Sequence, residues 1–419
     1  MTIELDLPRL DLDPYSQEFL SDPYPYYEEL REAGPVVWLN RYGHYAVGRH
    51  AETKIVLENW ETFGSTRGFG LNDPDRDVPL VEAPEFEPIR EIPGMCTESM
   101  QRLYAAVRPD PPEHDPIRQM FMKMLAPGLI RGWRERILER ADQLVQDLVA
   151  RGGFDAAVEL SDHFVLNVIG DIVGLREEGR ENMLLYGDMA MNTSGPRNET
   201  YIHSIAGAAD SVEWVGEACR REAIAPGGIG ELVFESVDRG EIPDEAMGEV
   251  FVRLFPTAAV DTTSSTITNA IHNLATHPDQ WRLLRENANL ARNAFQETMR
   301  LTQAIHPLYR TTNHESVLSG CPVAGGAKMM MLLGSANRDP RVFEDPNRFD
   351  IRRDASAQLG FGSGIHSCAG QSLARLEGEA VLAALARHAA TIALDGEPSR
   401  RVHNTLHTWA RLPVFVTAA

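Results

Sequence analysis

The stretch that decides the fold reads FGSGIHSCAG and occupies residues 361–370. Gly362 and Gly364 permit tight backbone turns, and the segment then leads into a helix predicted from about Ala369 to His388. A cysteine at such a helix start lies near exposed N–H groups and the positive end of a helix dipole, which both favour a thiolate. Cys368 is therefore a candidate nucleophile or metal ligand, against the alternative of an inert buried cysteine.

This segment resembles the cysteine-ligand loop of the cytochrome P450 family, F-x-x-G-x-x-x-C-x-G, in the bacterial form that has His two residues before Cys. The resemblance implies a mainly α fold, in which residues 1–419 form a single large helical domain with small β-sheets. It also implies haem b (iron protoporphyrin IX) as the cofactor, with Cys368 as the ligand of its iron.

A second motif, E-T-M-R over residues 297–300, places a carboxylate and a guanidinium on one face of a helix. Alone, such a pair is common and is usually solvated. In the P450 family the pair joins a second arginine below the haem, and the stretch PNRF at residues 346–349 supplies Arg348. The resemblance thus implies a buried structural triad of Glu297, Arg300 and Arg348.

Haem carries two propionates, and buried anions need hydrogen-bond donors. The stretch DPPEH at residues 110–114, followed by Arg118, is similar to the family's propionate-binding segment, and His114 and Arg118 share one helix face. Each of these residues is unremarkable alone. The resemblance implies that the following residues contact the cofactor: His114, Arg118, Ala258, Arg310, Phe361, His366 and Cys368.

The stretch AAVDTT at residues 258–263 lies in a helix predicted over Glu249–Asn273 and resembles the family's A-G-x-D-T-T. In the family this acid–alcohol pair delivers protons during oxygen activation, so Asp261 and Thr262 are the predicted catalytic residues. The alternative is a chance occurrence inside a helix. Ala259 replaces the usual glycine, and Pro256 removes a backbone donor, which predicts a kink.

The rest of the sequence predicts the secondary structure around these motifs. Asp22–Ala33 and Ala51–Leu57 are predicted helices, and Val36–Val47 is a predicted hairpin. Residues 70–109 are rich in proline and acids with little periodicity, which predicts a long ordered loop or lid over the substrate pocket. From Asp115 onward helices follow one another, with short β-like runs near the C-terminus.

The composition restricts the function class. The chain has 419 residues and a formal net charge of −21, which disfavours nucleic acid or anionic membranes as partners. Its four cysteines are scattered without a CxxC pair, so a disulfide framework is excluded and a reducing compartment is expected. The N-terminal stretch has no apolar run, and no segment approaches the roughly 20 apolar residues of a membrane span. We therefore expect a cytoplasmic protein.

Several longer stretches, among them STRGFGLND at 65–73 and LARNAFQE at 290–297, look like the bacterial P450 group that oxidises para-substituted benzoic acids and O-demethylates methoxybenzoates. The resemblance implies a small aromatic substrate. Arg102 or Arg108 could hold its carboxylate, or both could be solvated lid residues; in the latter case neutral aromatics bind at least as well as acids. The residues expected to contact the substrate are Tyr104, Met191, Ser194, Leu254, Thr257, Ile305 and Leu308.

The resemblance implies a haem-thiolate monooxygenase that activates O2 and hydroxylates or O-dealkylates its substrate. No G-x-G-x-x-G unit for a flavin or nicotinamide is evident, so electrons must come from a partner, expected to be a ferredoxin with an NAD(P)H-dependent ferredoxin reductase. The alternatives are a peroxide-using or rearranging haem-thiolate enzyme and a non-catalytic haem-binding sensor. Four basic residues allow two interpretations: they form a basic docking site for this partner, or equally they are scattered solvated charges. These residues are Lys123, Arg131, Arg134 and Arg136.

Overall fold

Helices carry most of the chain in the computed structural model, which describes residues 7–72, 82–92, 95 and 97–419. The π-helical segment Ala156–Asp162 precedes α7 directly. The helices are α1 (Gln17–Ser21), α2 (Tyr24–Ala33), α3 (His50–Glu58), α4 (Thr97–Val107), α5 (His114–Met124), α6 (Pro127–Arg151), α7 (His163–Val173), α8 (Asn182–Asn192), α9 (Glu199–Ala206), α10 (Ala209–Ala218), α11 (Ile229–Asp238), α12 (Glu245–Thr276), α13 (Pro278–Glu286), α14 (Ala291–Leu301), α15 (Leu333–Ala336) and α16 (Gln371–His388).

Short strands form small sheets at the periphery of the helices. The largest has the order β1-β2-β3-β9-β6-β4, and the others pair β10-β13-β5, β11-β12 and β7-β8. The predicted hairpin is confirmed, since β2 pairs antiparallel with β3 and Val37 faces Ala46. The strands are β1 (Arg9–Leu10), β2 (Val37–Leu39), β3 (His44–Val47), β4 (Phe63–Gly64), β5 (Gly153–Asp155), β6 (Leu308–Thr312), β7 (Ser316–Leu318), β8 (Cys321–Val323), β9 (Lys328–Met331), β10 (Ala389–Leu394), β11 (Ser399–Arg401), β12 (Thr408–Arg411) and β13 (Pro413–Ala418).

Helix α12 is the central element and positions the candidate oxygen-activating residues. It is 32 residues long, and the side chain of Asp244 caps it by accepting a hydrogen bond from the backbone N–H of Met247. Buried residues lie on all of its faces, because it packs against α7, α8, α14 and α16. The helix continues on both sides of the buried Pro256.

The region predicted as a long loop, residues 70–109, is only partly one. Within it the structure forms a short 3-10 turn at Pro84–Phe86 and the helix α4, so the prediction of a loop was wrong for Thr97–Val107. The sequence of α4 contains good helix formers and no proline, and the prolines upstream obscured this signal. Residues 73–81, 93, 94 and 96, which include one of the cysteines, lie outside the described residues.

One hydrophobic cluster reaches from Ala83 to Val416 and contains residues of α6, α12, α14 and α16. Two smaller clusters lie against the largest sheet. One large core is what a single domain would have. The single domain itself stays a prediction. Within the described residues, no helix is long and apolar enough to cross a membrane.

Candidate active site

Cys368 lies in a tight loop just before α16. Its backbone N–H donates to the carbonyl of Phe361 at 2.8 Å, which closes the loop. Gly362 and Gly364 have φ angles of 70° and 75°, in the region that favours glycine, as the tight turns require. A side chain at Gly364 would also contact the backbone of Leu57. The two glycines that precede the cysteine are thus explained by local geometry.

The electrostatics around Cys368 agree in direction with the predicted effect of the helix start. Burial raises the pKa of its thiol, whereas the backbone N–H groups of Gly370 and Gln371 and the cations Arg118 and Arg375 lower it. A metal ion bound to the sulfur would deprotonate the thiol outright.

The sulfur of Cys368 opens onto a cavity of about 450 Å³ between the cysteine loop and α12. Its wall on the α12 side includes Ala258, Ala259 and Thr262. Most of the other lining side chains are aliphatic or aromatic. They include Ile117, Phe121, Ile169, Ile172, Val173, Met191, Leu254, Phe255, Phe295, Met299, Ile305, Phe361 and Leu373.

Positive charge lies close to the cysteine loop. His114, Arg118 and His366 line the cavity, and the rings of the two histidines lie 4.7 Å apart. Arg310 is buried on β6, and its Nη1 donates to the carbonyl of Tyr309 at 3.0 Å. Burial lowers the pKa of Arg310 to about 10. No described carboxylate lies within 4.0 Å of its guanidinium, so this buried cation fits an anionic ligand such as a propionate.

Asp110 and Ser65 orient His366, and the sequence analysis assigned neither of them a role. His366 Nε2 lies 2.8 Å from Asp110 Oδ1, which also accepts from Ser65 Oγ at 3.1 Å. Although burial raises the pKa of Asp110, the hydrogen bonds from His366 and Ser65 outweigh it and lower the pKa. Because Nε2 is engaged, His366 can contact a cofactor only through Nδ1.

The acid and the alcohol of α12 point to different environments. Thr262 lines the cavity, and its Oγ1 donates to the carbonyl of Ala258 at 2.9 Å. The Asp261 side chain is 1% exposed, and its Oδ1 accepts from Arg401 Nη2 at 3.4 Å. Burial raises the pKa of Asp261 to about 7. Asp261 can therefore hold or release a proton near neutral pH, one residue from the cavity wall.

Glu377 is a second buried acid that the sequence analysis missed. It lies on α16, lines the cavity, and its Oε1 accepts no hydrogen bond from the described residues. Burial raises the pKa of Glu377 to about 8, so it is protonated at neutral pH. No local motif marks it, because its burial depends on how α16 packs.

The structural ion network uses a different second arginine from the one predicted. Glu297 and Arg300 are fully buried, with Arg300 Nε 2.7 Å from Glu297 Oε2. The other cation is Arg353, whose Nε lies 3.2 Å from Glu297 Oε1. The side chain of Arg348 is 61% exposed and lies nearest Asp350, and only its backbone carbonyl accepts from Arg300. The prediction of Arg348 was therefore wrong, because the turn after it brings Arg353 inward instead.

Three of the seven predicted substrate contacts line the cavity: Met191, Leu254 and Ile305. The other four are absent from the lining of this cavity, and their assignment as substrate contacts stays a prediction. Thr257 Oγ1 donates to the carbonyl of Arg253, and the backbone carbonyl of Ser194 accepts from the N–H of Leu71. Leu308 packs beside the second core cluster, and the ring of Tyr104 is covered by Arg108.

Neither of the arginines considered for a carboxylate reaches the cavity. Arg102 Nη1 lies 2.7 Å from Asp244 Oδ1, and Arg102 Nη2 lies 3.0 Å from Glu98. The guanidinium of Arg108 stacks on Tyr104, 3.4 Å from the ring centroid. Arg102 is thus paired with the carboxylates of Glu98 and Asp244, and Arg108 is stacked on the ring of Tyr104.

Comparison with known proteins gives the family. The Cytochrome P450 profile matches residues 239–390. The chain is 41% identical to cytochrome p450 CYP199A2 of Rhodopseudomonas palustris over 99% of this chain and 95% of that protein. The chain belongs to the cytochrome P450 family.

More distant members agree. The chain is 27% identical to the steroid C26-monooxygenase of Rhodococcus jostii, over 93% of this chain and 80% of that protein. The crystal structure of CYP109E1 from Bacillus megaterium in complex with testosterone superposes with a TM-score of 0.80 at 23% identity, over 96% of this chain and 99% of that one. The mainly helical fold with small sheets is therefore the P450 fold, as predicted, and the protein is a P450 monooxygenase.

P450 proteins bind haem b, and this cavity fits that cofactor. Cys368 would provide the thiolate ligand and the apolar walls suit a macrocycle, while the buried Arg310, which does not itself line the cavity, would suit a propionate. His114 and Arg118 line the same cavity, as do Phe361 and Ala258. Bound there, haem supplies the chemistry of oxygen activation, and the thiolate donates electron density that favours O–O cleavage.

Proposed function

We propose that this P450 hydroxylates or O-dealkylates a small, neutral aromatic molecule, with O2 as oxidant and electrons from a separate protein. The apolar cavity wall next to Thr262 supports this proposal most directly. A buried apolar pocket favours a compact apolar ligand, and Met191, Leu254 and Ile305 are among its apolar lining residues.

The residues have distinct roles in this proposal. Cys368 ligates the iron, while Arg310, Arg118, His114 and His366 hold the propionates. Thr262 positions a proton donor at the cavity wall. Asp261, which does not line the cavity, exchanges that proton. An acid whose pKa lies near 7 suits this task, since it can both give and take a proton at neutral pH.

Neutral substrates are favoured by the charges around the cavity. Arg118, His114 and His366 are the basic side chains among its described lining residues, and all three lie by the cysteine loop. Burying a carboxylate against Met191 and Leu254 without a partner would cost several kcal/mol, of the order of 2–7 for an unpaired polar group and more for a charge. We therefore expect phenols and aromatic aldehydes to bind at least as well as the matching acids.

Matched aromatic pairs that differ only in carboxylate, aldehyde or hydroxyl test the substrate class. We expect the neutral member of each pair to shift the ferric spectrum from low to high spin at equal or lower concentration. A strong preference for the acid, reduced by Arg102→Ala or Arg108→Ala, would reject the neutral-substrate proposal and restore the benzoate one. Compounds that shift the spectrum but give no product would point instead to a haem-binding sensor.

Product formed per NADH consumed tests the acid–alcohol pair. Thr262→Ala should bind substrate normally but divert electrons to hydrogen peroxide, whereas the control Thr262→Ser keeps the hydroxyl and should retain coupling. Equal coupling in the wild type and Thr262→Ala would exclude this alcohol as the proton donor. Full turnover with peroxide and none with NADH would favour the peroxide-using alternative.

The carbon monoxide difference spectrum tests the iron ligand. Cys368→Ser should abolish the red-shifted Soret band of the ferrous complex, because a hydroxyl cannot replace the thiolate. Cys321→Ser is the matched control, since this half-buried residue on β8 lies outside the cavity lining. Survival of the band in Cys368→Ser would overturn the ligand assignment.

A ferredoxin is the proposed electron donor, and the predicted basic site is weaker than its sequence suggests. Lys123 Nζ lies 3.6 Å from Glu241, and Arg134 Nη2 lies 3.0 Å from Glu379, which leaves Arg131 and Arg136 as the docking candidates on α6. Reversing their charges with Arg131→Glu and Arg136→Glu should slow reduction by ferredoxin and leave reduction by dithionite unchanged. Equal ferredoxin rates would favour the reading of scattered solvated charges.

A further inference from the structure

Behind the cavity wall, Asp261 lies in a small buried cluster of charged residues. It faces Asp188 from α8, Asp162 from the π-helical segment and Arg401 from β11. Arg401 Nη2 lies 3.4 Å from Asp261 Oδ1, and Arg401 Nη1 lies 3.7 Å from Asp188 Oδ1. Within the described part of the chain, two carboxylates thus share one arginine, and the third, Asp162, acts on Asp261 electrostatically.

The arginine binds neither carboxylate tightly. Both contacts exceed the 2.7–2.9 Å that is usual for a charged N–H···O bond, and neither is bidentate. Arg401 Nε and Asp261 Oδ2 are buried and make no hydrogen bond with any described residue. Small movements of Arg401 can therefore exchange its main partner between Asp261 and Asp188.

The backbone of α8 makes room for the acid. A methyl group at Gly187 would overlap Asp261 Oδ2, so only glycine lets the carboxylate approach this helix. The neighbouring residue of α8 is Asp188. The same turn of α8 therefore accommodates the carboxylate of Asp261 and contributes a second acid beside it.

Asp188 is the member of the pair that reaches solvent. Its side chain is 25% exposed, against 1% for Asp261. Asn192 Nδ2 donates to Asp188 Oδ2 at 3.0 Å, and His403 Nε2 lies 3.6 Å from Asp188 Oδ1. Because His403 Nδ1 accepts two backbone N–H groups, its Nε2 carries the hydrogen, but at 3.6 Å it makes no hydrogen bond with Asp188.

Asp162 occupies a separate position in the cluster. Its Oδ1 accepts a short hydrogen bond from Ser264 Oγ, and its effect on Asp261 is electrostatic. Among the described ion pairs within 4.0 Å, Arg401 contacts Asp261 and Asp188 but not Asp162. Asp162 therefore provides a matched control, since it carries the same charge in the same cluster without sharing the arginine.

We propose that Arg401 is a positioning residue for proton transfer, shared between Asp261 and Asp188, and that Asp188 is the acid through which Asp261 exchanges its proton with solvent. This inference rests on the proposed role of Asp261. In each transfer one proton moves from the carboxylic acid of Asp188 to the carboxylate of Asp261. Arg401 then moves toward the newly ionised Asp188, which takes a proton from water, and no electron moves.

The electrostatics of the cluster agree with this exchange. Burial raises the pKa of Asp188 and of Asp162, and Arg401 opposes the effect in both. The pKa of Asp261 is raised by burial, lowered by Arg401, and raised again by the two other acids. Three acids whose pKa values are raised, grouped with one arginine, hold protons more readily than solvated carboxylates do, which is what a proton reservoir beside the cavity requires.

Infrared titration tests the cluster without turnover. The carbonyl stretch of a buried carboxylic acid should titrate near neutral pH in the wild type and disappear in Asp261→Asn, which assigns it. In Arg401→Gln it should persist to higher pH, shifted by about one unit or more, equivalent to a tenfold change in proton affinity. Arg401→Lys should restore the wild-type titration. An unchanged titration in Arg401→Gln would overturn the role of Arg401.

Turnover tests the route to solvent. Asp188→Asn should slow product formation about tenfold or more and increase the solvent deuterium isotope effect. The control Asp162→Asn should stay within about twofold of the wild type, since it removes a charge of the cluster but not the proton route. Equal rates in Asp188→Asn and the wild type, or equal losses in both variants, would overturn the route. Because the infrared assignment needs no substrate, failure of the proposed substrate class would leave the test of Arg401 intact.

Discussion

Two buried groups of charges in this protein are built in opposite ways. Near the end of α14, Arg300 makes five hydrogen bonds from its side chain, two to Glu297 and three to the backbone carbonyls of Asn337, Pro346 and Arg348. Its five N–H groups are thus matched in number. Behind α12, Arg401 lies at 3.4 Å and 3.7 Å from two acids, and its Nε is unpartnered within the described structure.

The difference separates a structural role from a chemical one. A fully hydrogen-bonded ion network has one favourable arrangement, so it holds the backbone of residues 346–350 rigidly against α14. A cluster with more acids than cations and with long contacts has several arrangements of similar energy, so its protons can move. The network around Arg300 should therefore respond mainly in stability and the Asp261 cluster mainly in protonation.

The largest effect is expected at Arg300. Arg300→Met should lower the free energy of unfolding by about 3–5 kcal/mol, because it leaves the buried carboxylate of Glu297 without its main partner. Urea unfolding followed by circular dichroism measures this. A stability within experimental error of the wild type would show that the network is not the structural lock inferred here.

The next effect concerns pH. The pKa of Asp261 is raised by burial to about 7 from an ordinary value near 3.8, so the unfolded chain releases this proton at lower pH than the folded protein. The stability due to protonated Asp261 is present below the lower pKa and is lost as pH rises toward the upper one. The variant Asp261→Asn has no titrating group at this position and does not lose stability in this way. As pH rises from the lower to the upper pKa, the free energy of unfolding of the variant should therefore increase by about 2–4 kcal/mol relative to that of the wild type. A difference independent of pH would contradict the raised pKa.

Two glycines on helices test the packing of the acid. Gly187→Ala should cost about 1–3 kcal/mol, because its methyl group would overlap Asp261 Oδ2. The control Gly132→Ala on α6 has no heavy atom within 4 Å and should stabilise the protein by about 0.5–1 kcal/mol. Thermal unfolding of both variants is the measurement, and stabilisation by both would show that Asp261 does not lie against α8.

The smallest effect concerns which arginine, Arg348 or Arg353, belongs to the structural network. Arg348→Ala should change stability by less than about 0.5 kcal/mol, since the side chain is largely exposed. Arg353→Ala, which removes a contact of 3.2 Å to Glu297, should cost about 1–3 kcal/mol. The reverse order would restore Arg348 to the network.

The motifs of the candidate site could be predicted because each depends on residues close together in the chain. The glycines around Cys368 shape its loop through their own φ angles, and the Glu297–Arg300 pair needs only one turn of helix. Thr262 lines the cavity, as its motif predicts. The helix α4 was missed because the prolines before it dominate the local composition.

The amino-acid sequence by itself indicated the family, through the resemblance of its motifs, and the predominance of helices, through the spacing of its apolar residues. It also marked Cys368 and Thr262, which both line the cavity. Only the tertiary structure decided which partners these residues have. Arg353 reaches Glu297 across 56 positions, and Arg401 reaches Asp261 across 140. Which cation meets a buried acid depends on how distant helices and strands pack, and neither helical periodicity nor a local motif encodes that contact.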